Sequence, residues 1–173
     1  MDNSFNYVRD FVRAEAGIVL DAGKVVASGS VEAVMGRADL QAAGGLFEGG
    51  TVIEARVQAV DKADGVATLA FDGGTLTVGQ LDAPVGEAVR VRIRAREVSL
   101  ALTRPAQISI QNILRGTIRE IDAAHGDVNV SIALGDTGAS VLRARVTRRA
   151  CAQLALQVGQ SLWAQVKSVA LVR

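Results

Sequence analysis

Residues 89–96 read Val-Arg-Val-Arg-Ile-Arg-Ala-Arg. Apolar and basic side chains alternate strictly along this stretch, and a period of two is typical of a β-strand with one buried face. The pattern predicts that the four apolar side chains lie on one face of the strand and the four arginines on the other. The stretch therefore indicates that the core of the protein is built on a β-sheet.

The same pattern recurs later in the chain. A shift of 73 residues aligns 84–87 with 157–160 and 89–95 with 162–168. Internal similarity of this kind indicates a repeated structural unit. We therefore predict two tandem β-units of about equal size.

Short strands separated by turn residues fill both units. The predicted strands cover 51–60, Val66–Phe71, 75–78 and 89–96 in the first unit and 114–122, 128–134, 141–146 and 162–172 in the second, with a short helical turn over 148–154. Strands of this length and spacing are typical of a small Greek-key barrel of the OB type. The predicted fold is mainly β, with tandem OB-fold-like barrels, and a core of valine, leucine and alanine fits the aromatic content of 3%.

Residues 1–48 differ from the two units. The stretch 17–27 has two apolar runs around a turn and predicts a β-hairpin. Ser30 is a candidate N-cap for a short helix over 31–35, and the glycine-rich stretch 41–50 is a candidate linker. The expected parts of the chain are a short α/β segment with its linker at 1–48, a first OB-like unit at 49–105 and a second unit at 106–173.

Composition sets limits on the class of protein. The chain has 173 residues, a hydrophobic content of 49% and a formal net charge of +1, which excludes a uniformly basic nucleic-acid binder and an acidic tail protein. It contains no apolar run of the roughly 18 residues that suggest a membrane span. Its single cysteine, Cys151, has no intrachain partner, which favours a reducing, cytoplasmic compartment.

The charge is unevenly distributed along the chain. Residues 1–84 carry six basic and twelve acidic side chains, whereas residues 85–173 carry thirteen basic and six acidic ones, so the two halves have net charges of −6 and +7. The basic half is suited to attract an anion. Pairing of acidic and basic faces within one protein or dimer explains the same numbers equally well.

The chain offers little of the chemistry that enzymes use. His125 is the only histidine and lies in a predicted turn, and Cys151 lies among small apolar residues as a buried hydrophobe. No cysteine and histidine cluster has zinc spacing, and the Gly-x-x-x-x-Gly-Lys-[Ser/Thr] phosphate loop is absent. We therefore expect no enzyme activity, no ATP hydrolysis by this chain alone, no cofactor and no metal site.

Two polar clusters are candidates for ligand binding. Ser109, Gln111 and Asn112 precede the first strand of the second unit, and the pair Lys167-Ser168 lies late in its last predicted strand. A Greek-key barrel brings its first and last strands together, so we expect the clusters to converge. Hydroxyl, amide and ammonium groups are suitable donors to a tetrahedral oxyanion. The alternative is an ordinary polar strand start and a lysine exposed on the sheet.

Three stretches of the second unit carry a family resemblance. They are Ser-Ile-Gln-Asn-Ile-Leu-Arg-Gly at 109–116, Leu-Ala-Leu-Gln-Val-Gly at 154–159 and Trp-Ala-Gln-Val-Lys-Ser-Val at 163–169. Through them, the second unit resembles the molybdopterin-binding-like (Mop, or TOBE) domain of the ATP-binding subunits of molybdate ABC importers. Upstream, 89–100 is similar to the same subunits, and 19–29 resembles the final hairpin of their ATPase domain.

The resemblance implies a fold, a ligand and a setting. It implies tandem TOBE/Mop barrels preceded by a short α/β remnant of an ABC ATPase domain, without ATPase activity of its own. It implies a cytoplasmic regulatory module that binds molybdate or tungstate at interfaces between repeats or subunits and restrains its transporter. The implied partners are a second copy of the chain in a homodimer and the membrane subunit of the transporter.

Binding residues of the family carry over position by position. Ser109 and Asn112 match the family pattern Ser-x-Arg-Asn, whereas Gln111 replaces its arginine. Lys167 and Ser168 match a later Lys-Ser pair. The lost arginine bears on affinity, because a hydrogen bond from a charged donor contributes about 1.5–3 kcal/mol.

The family also uses hydroxyls in the segment equivalent to 143–150. Thr147 fits one such position, whereas Arg143 and Ala150 depart from the pattern. Arg143 is a candidate to restore the positive charge lost at Gln111. The candidate oxyanion site therefore comprises Ser109, Gln111, Asn112, Arg143, Thr147, Lys167 and Ser168.

Two rival functions stay open. Gln111 and Ala150 favour a structural dimerisation module that has lost its ligand. Nucleic-acid binding is the other, because OB barrels often bind nucleic acids and 90–96 contains a basic stripe. Single-strand binders need aromatic stacking platforms. Residues 51–173 contain only Phe71 and Trp163, so we expect no nucleic-acid partner.

Overall fold

A computed structural model describes residues 16–21, 24–30, 49–79, 81–124 and 127–172. Over these ranges the chain forms a two-stranded hairpin, two five-stranded sheets and one short helix. The strands are Ala16–Asp21 (β1), Lys24–Ser30 (β2), Gly50–Asp61 (β3), Val66–Phe71 (β4), Gly74–Gly79 (β5), Ala88–Arg94 (β6), Val98–Ala101 (β7), Asn112–Ala124 (β8), Asp127–Leu134 (β9), Ser140–Thr147 (β10), Ser161–Val166 (β11) and Ala170–Val172 (β12). The 3₁₀ turn is Ala95–Glu97 (η1) and the helix is Arg148–Gln153 (α1).

The two large sheets share one strand order. The first runs β5-β4-β3-β6-β12 and the second runs β10-β9-β8-β11-β7. Since β3 to β6 occupy the same places as β8 to β11, the described chain contains two equivalent units. In the second sheet β10 at one edge contacts β7 at the other, so the sheet curls into a barrel. The prediction of a mainly β fold with OB-like barrels is confirmed.

In each sheet, one of the two edge strands comes from the other unit. β7 follows β6 in the chain but pairs with β11, where Leu100 lies opposite Ala164. β12 follows β11 but pairs with β6, where Leu171 lies opposite Val91. This reciprocal exchange means that neither five-stranded sheet is complete without residues from both units.

The predicted last strand, 162–172, is wrong as a single element. β11 ends at Val166, and β12 begins at Ala170 in the other sheet. The Lys167 amide donates a hydrogen bond to the carbonyl oxygen of Glu97 at 3.0 Å, and after it the chain crosses between the sheets. Apolar residues continue on both sides of the crossing, so the sequence pattern does not mark it.

The alternating stretch 89–96 ends as a strand at Arg94, two residues earlier than predicted. Val91 and Ile93 are fully buried, as the alternation predicts. Ala95 begins η1 instead, and its amide donates a hydrogen bond to the carbonyl oxygen of Gly49 at 2.9 Å. This turn directs the chain into β7, a four-residue strand too short to be recognised from its pattern.

The repeat with a shift of 73 residues is visible in two matching turns. In the first unit the Gly86 amide donates to the carbonyl oxygen of Val57 at 2.8 Å, and in the second the Gly159 amide donates to that of Ile118 at 2.8 Å. Gly86 and Gly159 have φ angles of 93° and 85°, in the left-handed region that favours glycine. Each contacted strand has a register shift beside the bond, and such a bulge bends the strand.

The predicted N-terminal hairpin over 17–27 is present. β1 pairs antiparallel with β2, and Ile18 lies opposite Ser28. The predicted helix over 31–35 and its Ser30 cap, and most of the predicted linker, lie outside the residues whose side chains and conformation are described. The domain boundaries at 48/49 and 105/106 stay predictions.

The two units share one hydrophobic core. Side chains from both sheets pack in a single cluster, and most of them are branched aliphatic residues. Its fully buried members include Leu69, Leu76, Ile93, Ile118, Ile132, Leu134 and Leu142. Such a core explains how a chain with few aromatic residues folds.

Replacing Ile132 with alanine should lower the free energy of unfolding by about 2–5 kcal/mol, because this side chain is 0% exposed and its removal leaves a cavity. Urea denaturation followed by circular dichroism measures the change. Val158 is 64% exposed, and Val158→Ala should change the same free energy by less than about 0.5 kcal/mol. Equal losses in the two variants would contradict the assigned core.

Candidate functional site at the junctions between the units

Two junctions tie the units together, and each joins the start of a long strand to an edge strand of the other unit. At the Asn112 junction, the Asn112 side chain in β8 bonds to Thr77 in β5. At the Thr51 junction, the Thr51 hydroxyl in β3 bonds to Arg143 in β10. The polar residues selected from the sequence lie in or near these junctions, with one exception, Thr147.

The strand registers make the two junctions equivalent. Thr51 and Asn112 each lie six residues before the bulge in their own strand. In each sheet, the residue at the bulge is paired across two neighbouring strands with a leucine on the edge strand. Thr77 and Arg143 are the residues that directly follow these leucines. The paired residues are Val57, Leu69 and Leu76 in the first sheet, and Ile118, Ile132 and Leu142 in the second.

Asn112 engages both backbone groups of Thr77. Its Oδ1 accepts a hydrogen bond from the Thr77 amide at 2.6 Å, and its Nδ2 donates one to the Thr77 carbonyl oxygen at 2.9 Å. The residue is 7% exposed. A pair of bonds to the N–H and C=O of one residue is what an antiparallel neighbouring strand provides. The Asn112 amide therefore takes the place of a strand beside β5.

The Thr51 junction has a single bond of the same kind. The Thr51 Oγ1 accepts a hydrogen bond from the Arg143 amide at 2.9 Å. The Arg143 guanidinium turns to Ser131, where Nη1 donates to Oγ at 3.4 Å. Arg143 thus belongs to the Thr51 junction, whereas Gln111 directly precedes Asn112 in the other.

Four further candidates lie at the Asn112 end of the β8–β11 ladder. Asn112 lies opposite Val166, the last pair of that ladder. Residues 109–111 lead into β8 at this end, and residues 167–168 leave β11 at the same end. The side chains of Ser109, Gln111, Lys167 and Ser168 are all exposed.

An open groove adjoins this end of the ladder. It has a volume of about 780 Å³ and is lined by Gln111 together with Lys62, Thr68 and Thr77 of the first unit, and by Asp61. Residues with ammonium, hydroxyl and amide side chains therefore border one depression where the two units meet. The Asp61 carboxylate is the opposing charge, and it accepts hydrogen bonds from the amides of Ala63 and Asp64.

Thr147 lies at the far end of the second sheet. It pairs with Asp127, which pairs with Ala124, the last residue of β8. Its hydroxyl caps α1 by accepting a hydrogen bond from the Ala150 amide at 3.1 Å. Within one chain, Thr147 therefore does not join the residues at the start of β8.

The segment between β7 and β8 holds a contact that the sequence did not predict. The Arg104 guanidinium lies 5.5 Å from the centre of the Trp163 ring, a cation–π distance. Gln107 in the same segment has a φ angle of 56°, an uncommon conformation for a residue other than glycine. Trp163 is the only tryptophan of the chain, so its fluorescence reports on the segment that carries Ser109 and Gln111.

Neither a cluster of metal ligands nor a membrane-spanning helix occurs in the described parts of the chain. Among these residues, no group of three His, Cys, Asp or Glu side chains is placed to hold a metal ion. Across the same residues, no helix has the length and apolar character to cross a membrane.

Comparison with known families identifies the second unit. The family model of the TOBE domain matches residues 108–172, which include β8 to β12 and the residues of the Asn112 junction that lie in this unit. The chain carries a TOBE domain. The resemblance expected from the stretches at 109–116, 154–159 and 163–169 is confirmed.

Curated relatives extend the likeness beyond the TOBE domain. The molybdenum import ATP-binding protein ModC of Paramagnetospirillum magneticum is 40% identical over 161 residues, which is 92% of this chain and 44% of that protein. ModC of Mesorhizobium japonicum is 42% identical over 156 residues, 90% of this chain and 42% of that protein. The chain is a TOBE-containing region similar to part of ModC, and it spans less than half the length of these relatives.

A solved structure shares the fold. The cytoplasmic molybdate-binding protein ModG, crystallised with molybdate bound, superposes with a TM-score of 0.60 at 24% sequence identity. The match covers 69% of this chain and 94% of that one. The β-barrel fold of this chain is therefore similar to the fold of ModG.

Proposed function

We propose that this chain is an oxyanion-binding regulatory module of a molybdate importer, with molybdate or tungstate as its ligand and no ATP hydrolysis of its own. ModC and ModG, to which it is similar, are named for molybdenum import and molybdate binding. In this proposal the module works in the cytoplasm as part of an ATP-binding subunit.

The observation that carries the proposal is the set of donors at the Asn112 junction. Ser109, Gln111, Lys167 and Ser168 are exposed at one end of the β8–β11 ladder, and the groove beside them adds Lys62. A tetrahedral divalent oxyanion accepts several hydrogen bonds at once, and ammonium groups give the strongest of them. The junction lies where two units meet, so a bound anion would contact both.

Lys62 is a candidate to replace the arginine that the family pattern contains and this chain lacks. Gln111 occupies the arginine position, and Lys62 lines the same groove from the first unit. We propose that Lys62 supplies the charge that Gln111 lacks. Arg143, the candidate considered from the sequence, lies in the Thr51 junction and bonds to Ser131.

Regulation would follow from the position of the site. A ligand shifts an equilibrium only between states that bind it unequally. We propose that the anion favours one arrangement of the units in a homodimer and that the membrane subunit of the transporter responds to it.

Isothermal titration calorimetry with molybdate, tungstate and sulfate tests the proposal. We expect saturable binding of molybdate and tungstate and weaker binding of the smaller sulfate ion. No heat with molybdate at millimolar concentrations would refute the binding function. A dimer in light scattering that is stable and indifferent to the anion would then support the rival function, a structural dimerisation module.

A further inference from the structure

We propose that Asn112 is a positioning residue of the anion site rather than one of its ligands. Its amide acts as a latch that holds the start of β8 against β5 of the first unit, and anion binding depends on that latch. The proposal rests on the proposed function, and it assigns to Asn112 a role different from hydrogen bonding to the anion.

The hydrogen bonds of the amide are the first support. Both of its polar atoms bond to the backbone of Thr77, at 2.6 Å and 2.9 Å, in a residue that is 7% exposed. An anion that took the Nδ2 donor would leave the half-buried Thr77 carbonyl without its partner, and breaking this bond costs free energy. The exposed neighbour Gln111 has no such commitment to break.

The position of the latch is the second support. Gln111 directly precedes Asn112 and lines the groove that Thr77 also lines. The Asn112–Thr77 bonds therefore set the distance from Gln111 to Lys62 and Thr68 of the first unit. On the other side, the backbone of Asn112 pairs with Val166, so the same bonds fix the start of the segment 167–168.

The equivalent Thr51 junction provides a matched control within the chain. Thr51 makes the same type of bond, to the Arg143 amide at 2.9 Å. The residue before Thr51 is Gly50, whereas the residue before Asn112 is Gln111. The Thr51 junction therefore lacks the amide side chain that lines the groove at the Asn112 junction. Loosening the Thr51 junction should therefore disturb the packing of the units without disturbing the anion site.

The test compares Asn112→Leu with Thr51→Val in the full chain. Each substitution removes the side-chain hydrogen bonds and keeps the branching of the side chain. Amide hydrogen exchange should show faster exchange at Thr77 in Asn112→Leu and faster exchange at Arg143 in Thr51→Val. Calorimetry, at a temperature where both variants are folded, should show at least a tenfold loss of molybdate affinity for Asn112→Leu and less than a twofold change for Thr51→Val.

Asn112→Asp serves as a second variant should Asn112→Leu fail to fold. The carboxylate still accepts from the Thr77 amide but no longer donates to the Thr77 carbonyl, so we expect at least a fivefold loss of affinity. A structural role alone would lower the melting temperature of both junction variants and leave their affinities alike.

Two results would overturn the inference while the proposed function stands. One is wild-type affinity in the Asn112 variants, and the other is an equal loss in Thr51→Val, which would mean general loosening. Absence of molybdate binding by the wild-type chain is a different result, because it refutes the proposed function and the anion-positioning role together.

Discussion

Lys167→Ala is expected to lower the affinity for molybdate by about ten- to a hundredfold. Lys167 is exposed at the end of the β8–β11 ladder, one residue beyond Val166, which lies opposite Asn112. A hydrogen bond from a charged donor contributes about 1.5–3 kcal/mol, and a factor of ten corresponds to about 1.4 kcal/mol. Calorimetric titration of the wild type and the variant measures the difference.

Two control variants separate this effect from a general change in charge. Lys167→Arg keeps the charge but changes the geometry of the donor, so it should lose less affinity than the alanine variant. Arg148 is exposed in α1, next to Thr147 at the far end of the sheet, and Arg148→Ala removes the same charge there. An equal loss in Arg148→Ala would indicate long-range attraction alone and would contradict a direct contact at Lys167.

Ending the chain after Val169 is expected to lower the free energy of unfolding by about 2–4 kcal/mol and to weaken the first unit. The deletion removes β12, which pairs with β6 through three residues and packs Leu171 against the core. Each hydrogen bond contributes a net of about 1 kcal/mol, and burial of a leucine side chain adds about 1.5–3 kcal/mol when complete. Urea denaturation measures the loss.

The location of the damage is the sharper part of this prediction. The deleted residues belong to the second unit, yet hydrogen exchange should become faster in β6 of the first, at Arg90 and Arg92. Leu171→Ser should reproduce part of the loss, whereas Ala170→Ser, at the exposed neighbouring position, should not. Faster exchange confined to the second sheet would contradict the strand exchange.

Local patterns in the sequence predicted much of the fold. The alternation in 89–96 located the core-facing Val91 and Ile93, and the 73-residue shift located the matching turns at Gly86 and Gly159. The exchange of β7 and β12 was not predictable in this way. These strands have four and three residues, and their choice of partner depends on how the two sheets pack rather than on their own side chains.

The candidate site was predicted in part, for a related reason. Ser109, Gln111 and Lys167 were recognisable as polar residues at the ends of strands, and the structure places them near one ladder end. Thr51 and Thr77 gave no signal, because a threonine whose hydroxyl or backbone bonds across a junction looks the same in a sequence as an exposed one. Finding the Thr51 junction by alignment would have needed a second shift, of 61 residues, along β3 and β8.

The reciprocal strand exchange also bears on how such a protein can arise and assemble. A chain with only one of these units would have to borrow its fifth strand from a second molecule, so its folding would depend on protein concentration. Joining two units in one polypeptide makes the borrowing intramolecular, and short flexible linkers give effective concentrations in the millimolar range. The segment 102–111 connects the two units here, so duplication followed by fusion would remove the need for two separate molecules to associate.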